Sequence, residues 1–399
     1  MLYRKQDDYD AFKCIAGACP KSCCIGWQIV IDDDSLDNYA QIARKQAIAM
    51  KNMNTSKTPN KSDSSFGYKI LKGVDFEEGC FCQNGRRCSM LNPDNLCSLQ
   101  IELGEDNLCT TCKQYPRHIE EFQDIREYSL SLSCPEAIHM LLTRTTPLNF
   151  TECEDDTEDD PEEFEDYDFM LFDRLEYARD ILYKIACSSI IPFQTRLDLI
   201  VEAAARLQIC YDEGELFEMD DIVSEYSDLI ENASNIDTKH LSSLNIPSYS
   251  SESMQDLYDY NLEALNLLLR LEMLEDDWRR TITNTISYIQ SDITNFKNVL
   301  DTTDNKDKSF AYQQILVSLL FTYFCGSVYD GQIYARACIC TQSVRFMMMI
   351  YSAYTNNSHS HNNDLNIELL SKVVYLYSRE IEHSDINMNE IIDWFSSQI

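Results

Sequence analysis

The chain opens with Cys14, Cys19, Cys23 and Cys24 in CIAGACPKSCCIGWQIVID, and Cys80, Cys82, Cys88, Cys97, Cys109, Cys112 and Cys134 follow. Thiolates are soft donors that select zinc or iron–sulfur centres. Either centre takes about four sulfurs converging on one point. The chain offers more than that, so one site with spare thiols and two separate sites both satisfy the count. The first block, C-x4-C-x3-CC, does not have the paired spacing of a zinc ribbon. Gly26 occupies the position where a C-x3-C-x2-C run would place its last cysteine. Cys109 and Cys112 form the chain's C-x2-C pair. Cys80 and Cys82 stand open between ligand and packing roles. Cys153, Cys187, Cys210, Cys325, Cys338 and Cys340 read as inert packing residues, the ordinary role of an isolated cysteine.

Composition narrows the partners. The 399 residues carry a formal net charge of −34. Such a chain repels phosphate backbones, which argues against nucleic acid, and repels anionic membrane surfaces. It attracts cationic groups such as a lysine side chain. Only 10 glycines are present, and phosphate-cradling loops are built from glycine. The N-terminal residues MLYRKQDDYDAFKC lack an apolar leader core. The run AYQQILVSLLFTYFC, 311–325, is interrupted by Gln313, Gln314 and Ser318. It falls short of the ~20 apolar residues of a membrane span and reads as a buried helix. The expectation is a cytoplasmic protein without membrane insertion. In a reducing compartment, 17 cysteines are metal ligands and packing residues rather than disulfides.

These thiols need elements to position them. The reading is a mainly α protein in two parts. Residues 1–145 form a cysteine-rich metal-binding domain with a short β element at WQIVID, 27–32. A helix with an acidic start follows at 34–51, then a polar loop at 51–68. Residues 152–166 carry 11 acids in 15 positions, a like-charge block that reads as a solvated linker, so 146–168 separate the domains. Residues 169–399 read as an all-α domain of eight to ten helices. Leu171, Leu175, Ala178, Leu182 and Ile185 line one helix face. Trp278, Ile282, Ile286, Ile289, Ile293 and Phe296 line a second, and Leu370, Val373, Tyr377 and Ile381 a third.

The first block, together with CSMLNPDNLCSLQIELGEDNLCTTCKQYPR at 88–117, SLSLSCPEA at 129–137 and SREIEHSDIN at 378–387, resembles the flagellin lysine N-methylase family. The first two blocks are also similar to a wider group of zinc- or iron-chelating cysteine-cluster proteins. The resemblance implies S-adenosylmethionine-dependent methylation of lysine ε-amines on flagellin, with an iron–sulfur cluster of 4Fe–4S type and zinc as the alternative. By position it carries metal ligation to Cys23, Cys24, Cys97, Cys112 and Cys134, with Cys14, Cys19 and Cys88 beside them. Cys109 is less regular in the family and is left out. No glycine-rich strand–turn–helix motif for the methyl donor is visible, since GVDFEEG at 73–79 has too few glycines and no apolar strand before it.

The chemistry so implied needs a deprotonated amine, because a lysine ammonium, with a pKa of about 10.4, has no lone pair. Desolvation or a base must supply one. His118 is a candidate base directly after the second cysteine block. Arg117 is a candidate partner for the donor's carboxylate. Tyr115 and Trp27 are candidate aromatic walls for cationic groups. In the distal motif, Glu380 and His383 are candidate catalytic residues, with Arg379 one turn before His383, and Glu382 and Asp385 are candidate acceptors for a lysine ammonium. Each has a plainer reading as a core, capping or surface residue. The competing reading of the whole chain is a non-catalytic, metal-stapled helical interaction module. An electron-transfer role is disfavoured by the lack of a flavin, nicotinamide or ferredoxin motif.

Overall fold

The computed structural model describes all residues except 54–65, 158–163, 165–166, 233–250, 276, 302–304, 358–363 and 399. The loop expected at 51–68 lies largely outside the described residues. Its last part is instead helical, since Phe66–Gly73 form a helix. The strands are β1 (Leu2–Gln6), β2 (Val74–Asp75), β3 (Cys80–Phe81), β4 (Gln83–Asn84), β5 (Arg87–Cys88), β6 (Arg117–Phe122), β7 (Ile125–Leu130) and β8 (Phe150–Glu154). Most other described residues are helical, as the sequence indicates.

The compact units divide the chain elsewhere than at the expected boundaries. One contains Met1–Ala11, Ile119–Ser133 and Ala137–Ile399, and the other contains Phe12–His118 and Cys134–Glu136. The cause is a four-stranded sheet in the order β6–β7–β1–β8. β1 pairs in parallel with β7 and antiparallel with β8, so both chain segments around the cysteines join the helical unit. Phe122, Ile125, Leu132 and Ile138 share one core with its helices. The acidic stretch expected as linker therefore begins as an edge strand. Glu152–Glu154 are exposed, and the β1 register sets Arg4 opposite both Glu127 and Glu152. An exposed edge tolerates this charge, and charged edges also discourage further strand addition.

Among the described residues, the helical unit has eleven helices after residue 168. The extra one or more relative to expectation come partly from a break at Asp292. Its extended backbone separates Trp278–Ser291 from Ile293–Asp301, and its carboxylate accepts the Thr294 N–H at 2.8 Å. The three apolar faces read from periodicity are otherwise buried, apart from Ile293. Helix Ile333–Asn357 is enclosed over nearly its whole length, packed by the helices at 193–213, 306–323 and 385–396 among others. Such all-round burial marks the middle of a core. Helix Lys306–Tyr323 contains the apolar run up to Tyr323 and is buried from Ala311 to Phe321. Among the described residues, no helix is long and apolar enough to cross a membrane.

The cysteine-rich unit has its own core, formed by Ile29, Ile31, Tyr39, Ile70, Phe81, Met90, Leu99 and Leu108 with Cys88 and Cys109. WQIVID is not a strand. It makes only isolated bridges, at Val30 with Cys80 and, just before it, at Ile25 with Arg87. The bridged strands β3 and β5 are two residues long each, too short to support a longer ladder. Gly73 shows how closely this unit packs. A Cβ there would lie 2.2 Å from Met90 Cε and 2.6 Å from Ser89 Oγ. Gly73→Ala is expected to destabilise the unit by about 1–3 kcal/mol through overpacking, read as a lower urea midpoint with unchanged slope.

Candidate metal centre and the distal motif

Backbone hydrogen bonds bring the two cysteine blocks together. Cys88 N–H donates to Cys24 O at 2.9 Å, and Gly26 N–H to Arg86 O at 2.9 Å. Gly26 has φ 107°, a conformation that glycine adopts without strain, and it turns the chain between the double cysteine and Trp27. Thr110 N–H donates to the Asp32 carboxylate at 2.7 Å, and the Thr111 hydroxyl to Val30 O at 2.9 Å. The same Asp32 accepts the Ser35 N–H at 3.0 Å, next to the start of helix Asp33–Met53. These bonds hold the Asp32 carboxyl well below the usual carboxylate range against the opposing effect of burial.

Two further helices carry the remaining thiols. Cys97 caps helix Ser98–Leu103, and Cys109 caps helix Thr110–Gln114, which bears Cys112. The thiols lie close enough to perturb one another. A hydrogen bond to Cys24 raises the Cys23 thiol first, helped by burial and by the fields of Cys24, Cys14 and Cys134. Burial pushes Cys88 up to about 12, with Cys24, Cys97 and Cys109 adding to it. Burial also raises Cys97, again with a contribution from Cys24. Cys112 is raised by its hydrogen bond to Cys109 and by burial, with added fields from Cys109, Cys24 and Cys23. Cys109 moves the other way, lowered by that same bond. Cys24 is thus within electrostatic reach of Cys23, Cys88, Cys97 and Cys112.

The structure therefore gathers Cys14, Cys23, Cys24, Cys88, Cys97, Cys112 and Cys134, and it adds Cys109, which the sequence reading left out. The C-x2-C spacing at a helix start was the available signal for it. Cys19 Sγ hydrogen-bonds to Lys21 O at 3.1 Å. Tyr39, fully buried, also escaped notice. It is raised by burial and by the fields of Cys109, Cys112 and Cys97, and its hydroxyl donates to Asn107 O at 2.9 Å. Among the described residues, no three Cys, His, Asp or Glu side chains are arranged to hold one metal ion. The donor chemistry suits a thiophilic centre, because gathered thiols that raise one another's pKa favour a cation that takes their protons' place. The side chains as placed do not form a closed ligand set.

The aromatic candidates stand beside this cluster. The Trp27 indole donates to Cys23 O at 2.7 Å, and its ring lies 6.1 Å from that of Tyr115. The Arg117 guanidinium lies 5.4 Å from the Phe12 ring. His118 is half-buried on β6.

The distal motif belongs to the helical unit and is built into its core. Helix Ile367–Glu382 ends with His383 as its cap, so Glu380 and His383 do not share a continuing helix. Glu380 is 0% exposed and accepts the Leu274 N–H at 2.8 Å. Asn387 donates to Glu380 O at 2.7 Å and Glu272 O at 2.9 Å, and accepts the Glu272 N–H at 2.8 Å. Arg379 lies 3.5 Å from the Glu275 carboxylate. These bonds tie 272–275 to the helix end and leave Glu380 enclosed. Glu382 accepts from the Ser131 hydroxyl at 2.7 Å, while Asp385 is exposed. His383 Nε2 lies 3.0 Å from Ser133 Oγ. Burial, then Arg379, pushes its pKa down to about 3.

That depression has a stability consequence. The unfolded chain protonates His383 near pH 6.5 and the folded chain only near pH 3. The stability tied to the neutral form is complete above about pH 6.5 and is lost as pH falls towards 3. His383→Asn is expected to flatten the acid side of the stability curve by about 1 kcal/mol per pH unit below pH 6. Urea midpoints at pH 7, 6 and 5 check this, and parallel curves for variant and parent would refute it.

Comparison with known proteins identifies the larger unit. Residues 179–399, more than half of the chain, match the family model described as the FliB lysine N-methylase C-terminal domain. A flagellar biosynthetic protein FliU of Salmonella muenchen is 31% identical over 134 residues, 33% of this chain and 71% of that protein. Lysine-N-methylases of Salmonella typhimurium and Salmonella choleraesuis are each 29% identical over 139 residues, 33% of this chain. The match spans only 30% of the length of either methylase. No solved structure matches. With the family model covering the core that contains the SREIEHSDIN network, the chain belongs to the FliB lysine N-methylase family.

Proposed function

We propose that the chain is a protein-lysine N-methyltransferase that takes its methyl group from S-adenosylmethionine and acts on flagellin, in the cytoplasm. Membership of the lysine N-methylase family carries the reading, and the name of one relative, a flagellar biosynthetic protein, supports a flagellar substrate. Cys23, Cys24, Cys97, Cys112 and Cys134, with Cys14, Cys19 and Cys88 beside them, would hold an iron–sulfur cluster, 4Fe–4S in type, or zinc in its place. When bound, such a centre would supply a soft Lewis acid among these thiols.

The chain's own residues contribute in three ways. The excess of acidic residues, a net charge of −34, draws a lysine-bearing substrate towards the surface. Trp27 and Tyr115 offer ring faces suited to a sulfonium or a methylated ammonium. His118, half-buried on β6, is the candidate base. In a displacement, the deprotonated ε-nitrogen forms the new N–C bond as the methyl carbon's bond to sulfur breaks. The electron pair stays with S-adenosylhomocysteine, and the surplus proton on nitrogen passes to His118 or water.

The test is anaerobic purification with iron, sulfide and zinc analysis, followed by incubation with flagellin and isotopically labelled S-adenosylmethionine. Label on flagellin lysines, together with about four irons per chain, is the expected outcome. Zinc without colour and no labelled lysine would overturn the reading in favour of a metal-stapled interaction module.

A further inference from the structure

A cleft of about 670 Å³ lies within the cysteine-rich unit, lined by Tyr68, Lys69, Lys72, Ser89, Ser98 and Glu102 among others. That volume is in the usual range for small-molecule sites. Lys69 and Lys72 lie three residues apart on helix Phe66–Gly73, which places them on one face. Two lysines in one cleft stand out in a chain with 33 basic and 67 acidic residues. Lys69 donates to the neutral Ser98 hydroxyl, and Lys72 sits 4.8 Å over the Tyr68 ring. Among the described residues, no ion pair joins either lysine to a carboxylate, and both line the cleft together with Glu102. Glu102 comes from a different helix, Ser98–Leu103. The cleft therefore presents both signs of charge to one ligand, and the Tyr68 and Phe66 rings offer apolar surface beside them.

The cleft also borders the thiols. Ser89 and Ser98 each follow a cluster cysteine, Cys88 and Cys97, and Cys82 lines the wall. Lys69 lies near enough to Cys97 to act on its thiol.

We infer that this cleft binds an α-amino acid derivative carrying a flat ring system. Lys69 and Lys72 take its carboxylate, Glu102 its ammonium, and Tyr68 with Phe66 its ring. The class includes S-adenosylmethionine, and in that form the inference rests on the reading above. It supplies a donor site that needs no glycine-rich nucleotide loop.

The test is calorimetric titration of the full chain, prepared anaerobically, with S-adenosylhomocysteine, adenosine and inorganic phosphate as separate probes. S-adenosylhomocysteine is expected to bind at least tenfold more tightly than the other two. Lys69→Ala/Lys72→Ala and Glu102→Gln are each expected to weaken it tenfold or more, while Lys69→Arg/Lys72→Arg keeps most of the affinity. Metal content and thermal midpoint, measured on every variant, separate lost binding from lost folding. Unchanged affinity in well-folded alanine and glutamine variants overturns the cleft and leaves the methyltransferase reading standing. Phosphate binding as tightly as S-adenosylhomocysteine, lost in the lysine variant, overturns the ligand class. Absence of S-adenosylhomocysteine binding in the parent protein overturns the inference and counts against the donor itself.

Discussion

Replacing Cys23 or Cys112 with serine is expected to cut metal content several-fold and to lower the melting temperature of the cysteine-rich unit by more than 10 °C. Serine keeps the volume but replaces a soft thiolate by a hard hydroxyl, which holds zinc or iron poorly. Both residues sit on fixed backbone. The Cys23 carbonyl accepts the Trp27 indole at 2.7 Å, and the helix bearing Cys112 begins at Thr110, whose N–H is held by Asp32. The flanking structure should therefore tolerate the exchange, and the loss would lie in the metal. Structural zinc contributes about 10–16 kcal/mol in small domains, and each kcal/mol shifts the melting of a domain near this size by about 4–8 °C. The core here is small enough for that loss to dominate. Cys187→Ser is the control, because Cys187 is exposed at the end of helix Phe169–Cys187. It should change neither quantity. Iron, sulfide and zinc per chain, with calorimetry, decide the matter, and a Cys23→Ser protein with full metal would sink the assignment.

The gathering of the two cysteine blocks was legible because soft donors in such density have few other uses. The helix faces were legible because apolar residues at three- and four-residue steps must be buried together. Three features escaped, each for a physical reason. The sheet depends on pairing between residues near 4, 127 and 152, and no local pattern announces contacts so distant in sequence. WQIVID alternates like a strand, yet its apolar residues Ile29 and Ile31 enter the core from an irregular segment. In SREIEHSDIN the charged residues invited a catalytic reading, and no local pattern announced the hydrogen bonds that join Glu380 and the uncharged Asn387 to the backbone of Glu272 and Leu274. Cys109 fell between these cases, since its spacing to Cys112 favoured a ligand while the family pattern did not.

Breaking the ion pair between Glu127 and Arg179 is expected to destabilise the helical unit by about 3–5 kcal/mol. Their side chains are 1% and 4% exposed, and the guanidinium meets the carboxylate through two nitrogens, Nη1 at 2.6 Å and Nη2 to the other oxygen. Arg4 Nη1 approaches the same carboxylate at 3.3 Å, and also pairs with Glu152 and Glu176. Glu127→Gln leaves Arg179 buried without its counter-charge, so it should carry the full cost. Arg179→Met should cost less, because Arg4 still faces Glu127. In the double variant Glu127→Leu/Arg179→Met no unpaired charge remains between them, and its cost should fall well short of the sum of the single changes. Urea midpoints with unchanged slope would establish this, and single-variant losses under about 1 kcal/mol would refute it. The pair matters because of where it lies in the chain. Residues 12–118 are inserted between β1 and the end of β6, and Arg4, Glu127 and Arg179 join β1, β7 and helix Phe169–Cys187. The buried charge network joins β1 before the insertion to β7 and helix Phe169–Cys187 after it. Loss of the network should thus unfold the helical unit without altering metal content, the reverse of the result expected for Cys23→Ser.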